Sequence, residues 1–390
     1  MTQQPRSWPQ IWPDPTTHLT STRPDHPVLY LSPLRLQETA RRFRRGFPGL
    51  VSYAVKANDR REVLETLVAA GIRHFDVASP AEMQLVRGID RGAVLHYNNP
   101  VRSTAEVEAG IEAGVSSWSV DHPAGLAQLA GVPRRCEISV RFKLPVGGAA
   151  YDFGDKFGAT PPQAIALVQQ VARGGWSPAL CFHPGTQCAD PAAWESYIHA
   201  AAEIARQAGV RLTRLNVGGG FPASRGTGLP ALEEFLTRIS DATARAFGKD
   251  APQLVCEPGR AMVAEAGVLA TRVKQLRDGG ATVYLNDGIY GGLAELRDIG
   301  LTSRLHVMAP DGTPRRGKPL PRTMFGPTCD SLDRLPDGMS LPDDMETGDY
   351  LLFEAMGAYS AVTSTRFNGY GLHDMVTVER LTTGRENTRQ

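Results

Sequence analysis

Between residues 48 and 260 the chain alternates two kinds of apolar pattern. Short β-branched runs occupy 50–55, 72–77, 93–97, 116–120, 137–142, 179–182, 214–217 and 253–256. Between them lie stretches with apolar positions at helical spacing: 60–70, 80–86, 104–113, 124–129, 161–172, 192–208 and 229–246. The first kind predicts strands and the second predicts helices. Eight strands alternating with helices fit a (β/α)8 barrel of TIM type. A doubly wound sheet is the other arrangement, because alternation alone does not fix closure. A further helix is predicted over 34–47. There Leu36, Ala40 and Phe43 are the apolar positions, and Arg41, Arg42, Arg44 and Arg45 form a solvated face.

Past residue 265 the pattern changes. Runs at 268–273, 282–285, 322–325, 350–353 and 375–378 read as strands, separated by Gly, Pro and Asp clusters with no long helix between them. This predicts an antiparallel β domain. The run 28–31 precedes the barrel and can pair with that domain. The predicted organisation is a barrel over 36–265 and a β domain built from 1–35 and 266–390. The stretch 310–321, rich in Pro, Gly and basic residues, reads as an exposed loop. The tail from Thr382 reads as mobile, and Gly147-Gly148 suggest that the loop 145–154 gates a site.

Composition narrows the function classes. At 390 residues, 42% apolar and 21% charged, the chain is an ordinary globular sequence with room for two domains. A formal net charge of +1 speaks against a nucleic-acid or membrane-surface protein. The cysteines (Cys136, Cys181, Cys188, Cys256 and Cys329) are odd in number and show no disulfide framework, which suggests a reducing compartment. Residues 1–26 are polar and Pro-rich without the apolar core of a signal peptide. No run is long enough to span a membrane, so the expected location is cytoplasmic.

A barrel carries its chemistry at the C-terminal ends of its strands. Read in order, those ends present Lys56, Asp76, the pair Asn98-Asn99, Arg141, His183-Pro184-Gly185-Thr186, Gly218-Gly219-Gly220 and Glu257-Pro258-Gly259-Arg260. Each has a bland reading. A lone Lys after a strand is usually a solvated surface residue. Held against the apolar run before it, Lys56 would instead be a competent amine for a Schiff base. Three glycines can be a flexible turn, or can bring backbone N–H groups to an anion, with Arg260 adding a charge-assisted contact. Glu257 can be a surface carboxylate; buried, it needs a partner such as a protonated ring nitrogen. His183 can be a satisfied core histidine. Cys181, His183 and Cys188 match no standard zinc spacing, so no metal is expected. In the β domain, Cys329 stands in a loop beside Asp330, where a packing role is less natural than for most cysteines. Asp298 alone is an ordinary loop carboxylate, and Tyr359 alone a packing residue.

Nine motifs occur in order: Tyr-Ala-Val-Lys-Ala-Asn, Phe-Asp-Val-Ala-Ser, Lys-Phe-Gly-Ala, His-Pro-Gly-Thr, Gly-Gly-Gly-Phe-Pro, Glu-Pro-Gly-Arg, Asp-Gly-Ile-Tyr-Gly, Gly-Pro-Thr-Cys-Asp and Met-Gly-Ala-Tyr. Together they resemble the fold-type III pyridoxal-phosphate (PLP) decarboxylases acting on ornithine, lysine and diaminopimelate. The resemblance runs from about Val28 to Gly371, and it implies a PLP-binding barrel plus a β domain. It implies that Lys56 binds the cofactor as a Schiff base, His183 stacks on the ring and Glu257 pairs with the ring nitrogen. Gly220, Arg260, Thr186 and Tyr359 would hold the phosphate, with Gly219, Gly259, Asp76 and Arg141 also at the cofactor. Cys329 would protonate the product carbon from the partner subunit of a homodimer.

Asp298 and Asp330 would hold the distal ammonium of the substrate. The chain departs from the usual pattern in Arg297 before Asp298, which bears on pocket size, and in His-Pro-Gly-Thr for His-Val-Gly-Ser, where Thr keeps the hydroxyl. The implied reaction is L-ornithine to putrescine and CO2 in polyamine biosynthesis, with lysine or both substrates as the alternative. A non-catalytic regulatory homologue has no chemical need for Lys56, Glu257, Arg260, Cys329 and Tyr359. A racemase on the same barrel has no need for Cys329-Asp330.

Overall fold

The computed structural model describes residues 10–145, 147, 156–226, 228–371 and 374–381. Most of the loop 145–154 and the whole tail from Thr382 lie outside the described residues. The chain divides into two compact units. One comprises Gln37–Ala223 and Gly228–Met262; the other comprises Met1–Leu36, Ser224–Thr227 and Val263–Gln390.

The first strand, β1 (Val28–Leu31), belongs to the second of these units. The barrel follows with β2 (Gly49–Ala54), β3 (His74–Val77), β4 (Val94–Tyr97), β5 (Ser117–Val120), β6 (Glu137–Arg141), β7 (Ser177–Cys181), β8 (Arg214–Asn216) and β9 (Gln253–Cys256). All are parallel to their neighbours. Pairing of Gly49, Leu50 and Val51 with Leu254, Val255 and Cys256 closes the ring, so the barrel rather than the doubly wound sheet is formed. Tyr53, Phe75, Tyr97 and Trp118 are fully buried.

Local chemistry starts and stops the helices. Ser79 and Ser103 accept the N–H groups of Glu82 and Glu106 at their helix N-termini, and Glu106 returns a bond to Ser103 in a capping box. Helix Ala192–Ala208 ends at Gly209, whose φ of 64° suits glycine. Helix Pro33–Gly46 buries Leu36, Ala40 and Phe43 completely and leaves Arg41, Arg42, Arg44 and Arg45 exposed, as its pattern predicts. At the N-terminal ends of the barrel strands, Glu137 accepts from Ser117 at 2.7 Å and faces Arg214 at 3.5 Å. That end of such a barrel serves stability rather than chemistry.

The other unit is built on β10 (Gly267–Arg277), β11 (Thr282–Leu285), β12 (Leu305–Met308), β13 (Pro319–Pro321), β14 (Thr323–Phe325), β15 (Ser340–Pro342), β16 (Tyr350–Glu354) and β17 (Asp374–Thr377). The main sheet runs β12-β16-β10-β1-β17, with β11 and β14 extending from β10. Most pairings are antiparallel; β1–β17 and β11–β14 are parallel. The run 28–31 therefore does pair with this unit. Side chains alternate across the sheet. Leu29, Leu269, Leu351 and Phe353 enter one apolar cluster, and Val28, Tyr30, Val268 and Leu352 enter the other.

One expectation needs correction. The stretch 310–321 is not loop throughout, because Pro319–Pro321 pairs with β15 as a two-stranded ribbon. The Pro-rich N-terminus contains a helix, Pro15–Thr22, in which the Asp14 side chain caps the Thr17 N–H at 2.8 Å and Pro15 takes the position where a missing N–H costs nothing.

Candidate active site

Within the barrel unit, the strand ends bring together the residues that stood out in the sequence. Lys56 lies in the one-turn 3-10 helix Val55–Ala57 directly after β2. Val55 and Ala57 are fully buried while Lys56 is exposed. Its ammonium acts electrostatically on Asp76 of β3, on His183 after β7 and on Glu257 after β9. Arg141, at the end of β6, acts on the same three groups, and its guanidinium lies 5.1 Å from the Phe157 ring centroid. The Ala159 N–H donates to the Arg141 carbonyl, so Lys-Phe-Gly-Ala braces this strand end.

Glu257 is the electrostatic centre of the group. Burial first and Asp76 second push its carboxyl up to about 8, against the pull of Asn216, Lys56 and Arg141. Its Oε1 accepts from the side-chain amides of Asn98 and, at 2.5 Å, Asn216. Asp76 is likewise raised by burial, against the pull of Lys56, Asn98 and Arg141.

His183 is driven well below its usual range by burial and by the charges of Arg141 and Lys56, so its ring is neutral. The Gly185 N–H donates to Nδ1 at 3.0 Å, which places the ring proton on Nε2.

The glycine run has a specific cause. Gly218 and Gly220 have φ of 67° and 85°. A Cβ at Gly218 would meet the Phe182 carbonyl at 2.2 Å, one at Gly219 the Glu257 carbonyl at 2.6 Å, and one at Gly220 the Gly185 carbonyl at 2.4 Å. Only glycine lets the loops after β7, β8 and β9 approach this closely. The Cys188 N–H bonds the Gly220 carbonyl at 2.9 Å, tying the loop of Thr186 to the glycines. Thr186 and Arg260 are buried, and Gly259 packs against Ala54 and Ala57 beside Lys56.

These features fit a planar, phosphorylated cofactor with a carbonyl and a ring nitrogen. An exposed amine, a neutral imidazole, a buried carboxyl group and a glycine cradle with a buried guanidinium could each hold one part of it.

The remaining sequence-derived residues lie in the other unit. Cys329 is exposed in the loop after β14, and its backbone N–H donates to Asn368 Oδ1 at 3.0 Å. Asp330 accepts from the Tyr290 hydroxyl at 2.5 Å, which holds its carboxyl below the usual range. Arg297 acts on Tyr290 and pairs with Asp298 at 3.1 Å, so Asp298, Arg297, Tyr290 and Asp330 form one neighbourhood. A cavity of about 490 Å³ adjoins Cys329 and Asp330, with Tyr284 and Phe325 stacked on its wall. Tyr359 follows β16 with a φ of 62°, costly for a bulky side chain and a mark of local constraint.

Sequence reading left the amide partners of Glu257 without a role. Asn98 stood out only as one of a polar pair, and Asn216 was hidden inside the apolar run 214–217. A carboxamide two residues before a glycine turn was the available signal: Asn216 Oδ1 accepts the Gly218 N–H at 2.9 Å. Tyr290 was likewise part of a motif without an assigned role.

Comparison with known proteins agrees with this geometry. The family described as "Pyridoxal-dependent decarboxylase, pyridoxal binding domain" matches residues 34–264. A lysine/ornithine decarboxylase of Selenomonas ruminantium is 32% identical over 363 residues, covering 90% of each chain. The ornithine decarboxylase of Mus musculus is 31% identical over 347 residues, covering 82% of this chain and 73% of that one. The crystal structure of the Paramecium bursaria Chlorella virus arginine decarboxylase superposes with a TM-score of 0.82 at 25% identity, covering 92% of this chain and 98% of that one. The chain belongs to the pyridoxal-dependent decarboxylases of fold type III, and its cofactor is pyridoxal 5'-phosphate.

Proposed function

We propose that the protein decarboxylates a basic amino acid, with L-ornithine as the preferred substrate and putrescine and CO2 as products. The observation that carries this reading is the Cys329-Asp330 pair: an exposed thiol beside a carboxylate that Tyr290 keeps ionised. A thiol can supply the proton the product carbon needs, and an ionised carboxylate selects a substrate with a terminal cation. The relatives bear lysine, ornithine and arginine in their names, so the choice among these rests on the Asp330–Asp298 neighbourhood.

Lys56 holds the cofactor covalently through its amine. Gly219, Gly220, Gly259, Thr186 and Arg260 would receive its phosphate, and neutral His183 would lie against its ring. In the cofactor-free protein Glu257 holds a proton near pH 7; Oε2 is the oxygen left to face the ring nitrogen, because Oε1 is occupied by two amides, and with that proton on the ring Glu257 would stand opposite it as the ionised partner. Arg141 favours the charged form of Glu257, and Asp76 and Lys56 favour each other's. When bound, the cofactor supplies a conjugated cation that accepts the electron pair left at Cα as the bond to CO2 breaks. The Cys329 thiol then gives its proton to Cα. The exposure of Cys329 suits a homodimer in which this loop serves the partner's barrel.

Lysine, alone or alongside ornithine, is the second reading. It is favoured by the Arg297–Asp298 pair, which spends part of the charge of one carboxylate inside the chain. Product analysis of the PLP-loaded protein with L-ornithine, L-lysine, L-arginine and meso-diaminopimelate in parallel tests the proposal. Putrescine as the dominant product supports it. Dominant cadaverine moves the specificity to lysine, and no CO2 from any of the four overturns it.

A further inference from the structure

Asp76 and Glu257 stand close enough for each to resist the ionisation of the other, in a site sheltered from water. Two carboxyl groups at such range, if either is to ionise, need donors beside them. Asn98, at the C-terminal end of β4, supplies them. Its Nδ2 donates to Glu257 Oε1, and its side-chain amide and backbone N–H both draw the Asp76 carboxyl down. One amide nitrogen carries two protons, so a single carboxamide can bridge two acceptors. Its own Oδ1 is buried and has no hydrogen-bond partner among the described residues. The reverse orientation would turn that oxygen onto two carboxyl groups, so the site itself dictates which way the amide faces.

The backbone that carries Asn98 is clamped from below. The guanidinium of Arg102 donates to the carbonyls of Tyr97 and Asn99, the residues on either side, at 3.3 and 2.7 Å, and to the Ser119 carbonyl at 2.7 Å. Arg102 is itself buried, between the Tyr97 and Trp118 rings at 5.3 and 5.6 Å. A buried cation devoted to main-chain carbonyls makes this strand end rigid, and rigidity is what a bridging amide requires.

We propose that Asn98 is a positioning residue for the cofactor's ring nitrogen: by donating to Glu257 beside Asp76, from a strand end held by Arg102, it fixes the Glu257 carboxyl group opposite a ring N–H. This rests on the reading of Glu257 as the ring-nitrogen partner. Donors to an ionised carboxylate favour that form, whereas their loss leaves the proton on Glu257 and weakens the ring as an electron sink. The other charged groups facing Glu257 are Asp76, Lys56 and Arg141, from β3, the turn after β2, and β6. Lys56 and Arg141 keep their charges when Asn98 changes, whereas Asp76 loses the pull that the Asn98 amide exerts on it.

The test compares Asn98→Ala and Asn98→Ser with the parent protein. The first readout is the affinity of the cofactor-free protein for pyridoxal phosphate, followed by absorbance at several pH values. The second is kcat and KM against pH. Asn98→Ala is expected to weaken cofactor binding and lower kcat, each by about 10-fold, with KM for the amino acid little changed, since a bond to a charged group is lost. The acidic limb of the kcat profile should move to higher pH. Asn98→Ser keeps one donor and should fall between. Parental affinity and an unmoved acidic limb in a folded Asn98→Ala protein would overturn the proposal; should that variant not fold, the same result in Asn98→Ser does so. If the parent makes no CO2 from any basic amino acid, the proposed function fails, while cofactor affinity still decides the part played by Asn98.

Discussion

Asn216 donates its side-chain amide to Glu257 Oε1 at 2.5 Å while its Oδ1 accepts the Gly218 N–H at 2.9 Å. The second bond fixes the direction of the first. The glycine turn and the acid are therefore set by one side chain, and Glu257 is left with Oε2 as its site of protonation.

The consequence is a pH dependence in the cofactor-free protein. The Glu257 carboxyl lies at about 8 in the fold, against an ordinary 4.5. A raised folded value means that the native state holds a proton which the unfolded chain has released. Its contribution to stability is complete below about pH 4.5 and is lost as the pH rises through about 8. Thermal melts of the cofactor-free protein should decline between about pH 4.5 and about pH 8 and level off above, and Glu257→Gln should flatten that decline. An equal slope in the variant would remove Glu257 as its source. In the loaded enzyme the same variant should lower kcat by about 100-fold or more, because an amide cannot keep the ring nitrogen protonated.

Lys56 is the covalent anchor in this reading. Lys56→Ala should abolish the absorption band of the protein-linked cofactor and make borohydride reduction unable to fix cofactor to the chain. The fold should persist, since the side chain is exposed and only its neighbours Val55 and Ala57 are core residues. An unchanged spectrum would place the link on another lysine.

How much of this was legible follows from where each interaction closes. The barrel strands were, because each is an apolar run bounded by turn residues. Closure was not, since it depends on Leu50 meeting Val255 across nearly the whole unit. The ribbon strands β13 and β15 escaped notice because each carries proline, which argues against a strand except at an edge or in a ribbon such as theirs. Motif residues such as Lys56, His183 and Glu257 were visible as types at strand ends. The bridge from Asn98 to Glu257 was not, because its partners lie 159 residues apart and neither residue type alone demands the other.

The distal end of the substrate pocket gives a prediction with a direction. Tyr290 holds Asp330 ionised, and Arg297 occupies Asp298. Tyr290→Phe should raise KM for ornithine several-fold with a smaller effect on kcat. Arg297→Leu frees Asp298 and should lower KM for basic substrates, changing the ratio of putrescine to cadaverine. The two effects have opposite sign, and KM values from the same assay check both. An unaltered product ratio in Arg297→Leu would take Arg297 out of substrate selection. Cys329→Ala, in the same series, should lose amine production while keeping the cofactor spectrum; a fully active variant would remove Cys329 from the proton transfer.

The loop that carries Cys329 is itself held by Asp333, which is 1% exposed. Its carboxyl group accepts the Ile289 N–H at 3.0 Å, the Thr328 N–H at 3.0 Å and the Thr328 hydroxyl at 2.8 Å. A Cβ at Gly288 or Gly326 would lie 2.1 or 2.3 Å from this group, so the surrounding chain is shaped to admit it. Asp333→Ala leaves two buried N–H groups without partners, at about 1–3 kcal/mol each. The urea midpoint should fall accordingly, and Asp333→Asn should fall less, because its one carbonyl oxygen still accepts. Because Thr328 directly precedes Cys329, the alanine variant should also lose amine production out of proportion to cofactor binding, which depends on the barrel residues. A variant that loses stability but keeps its full rate per bound cofactor would show that Asp333 braces the β domain without setting the position of the thiol.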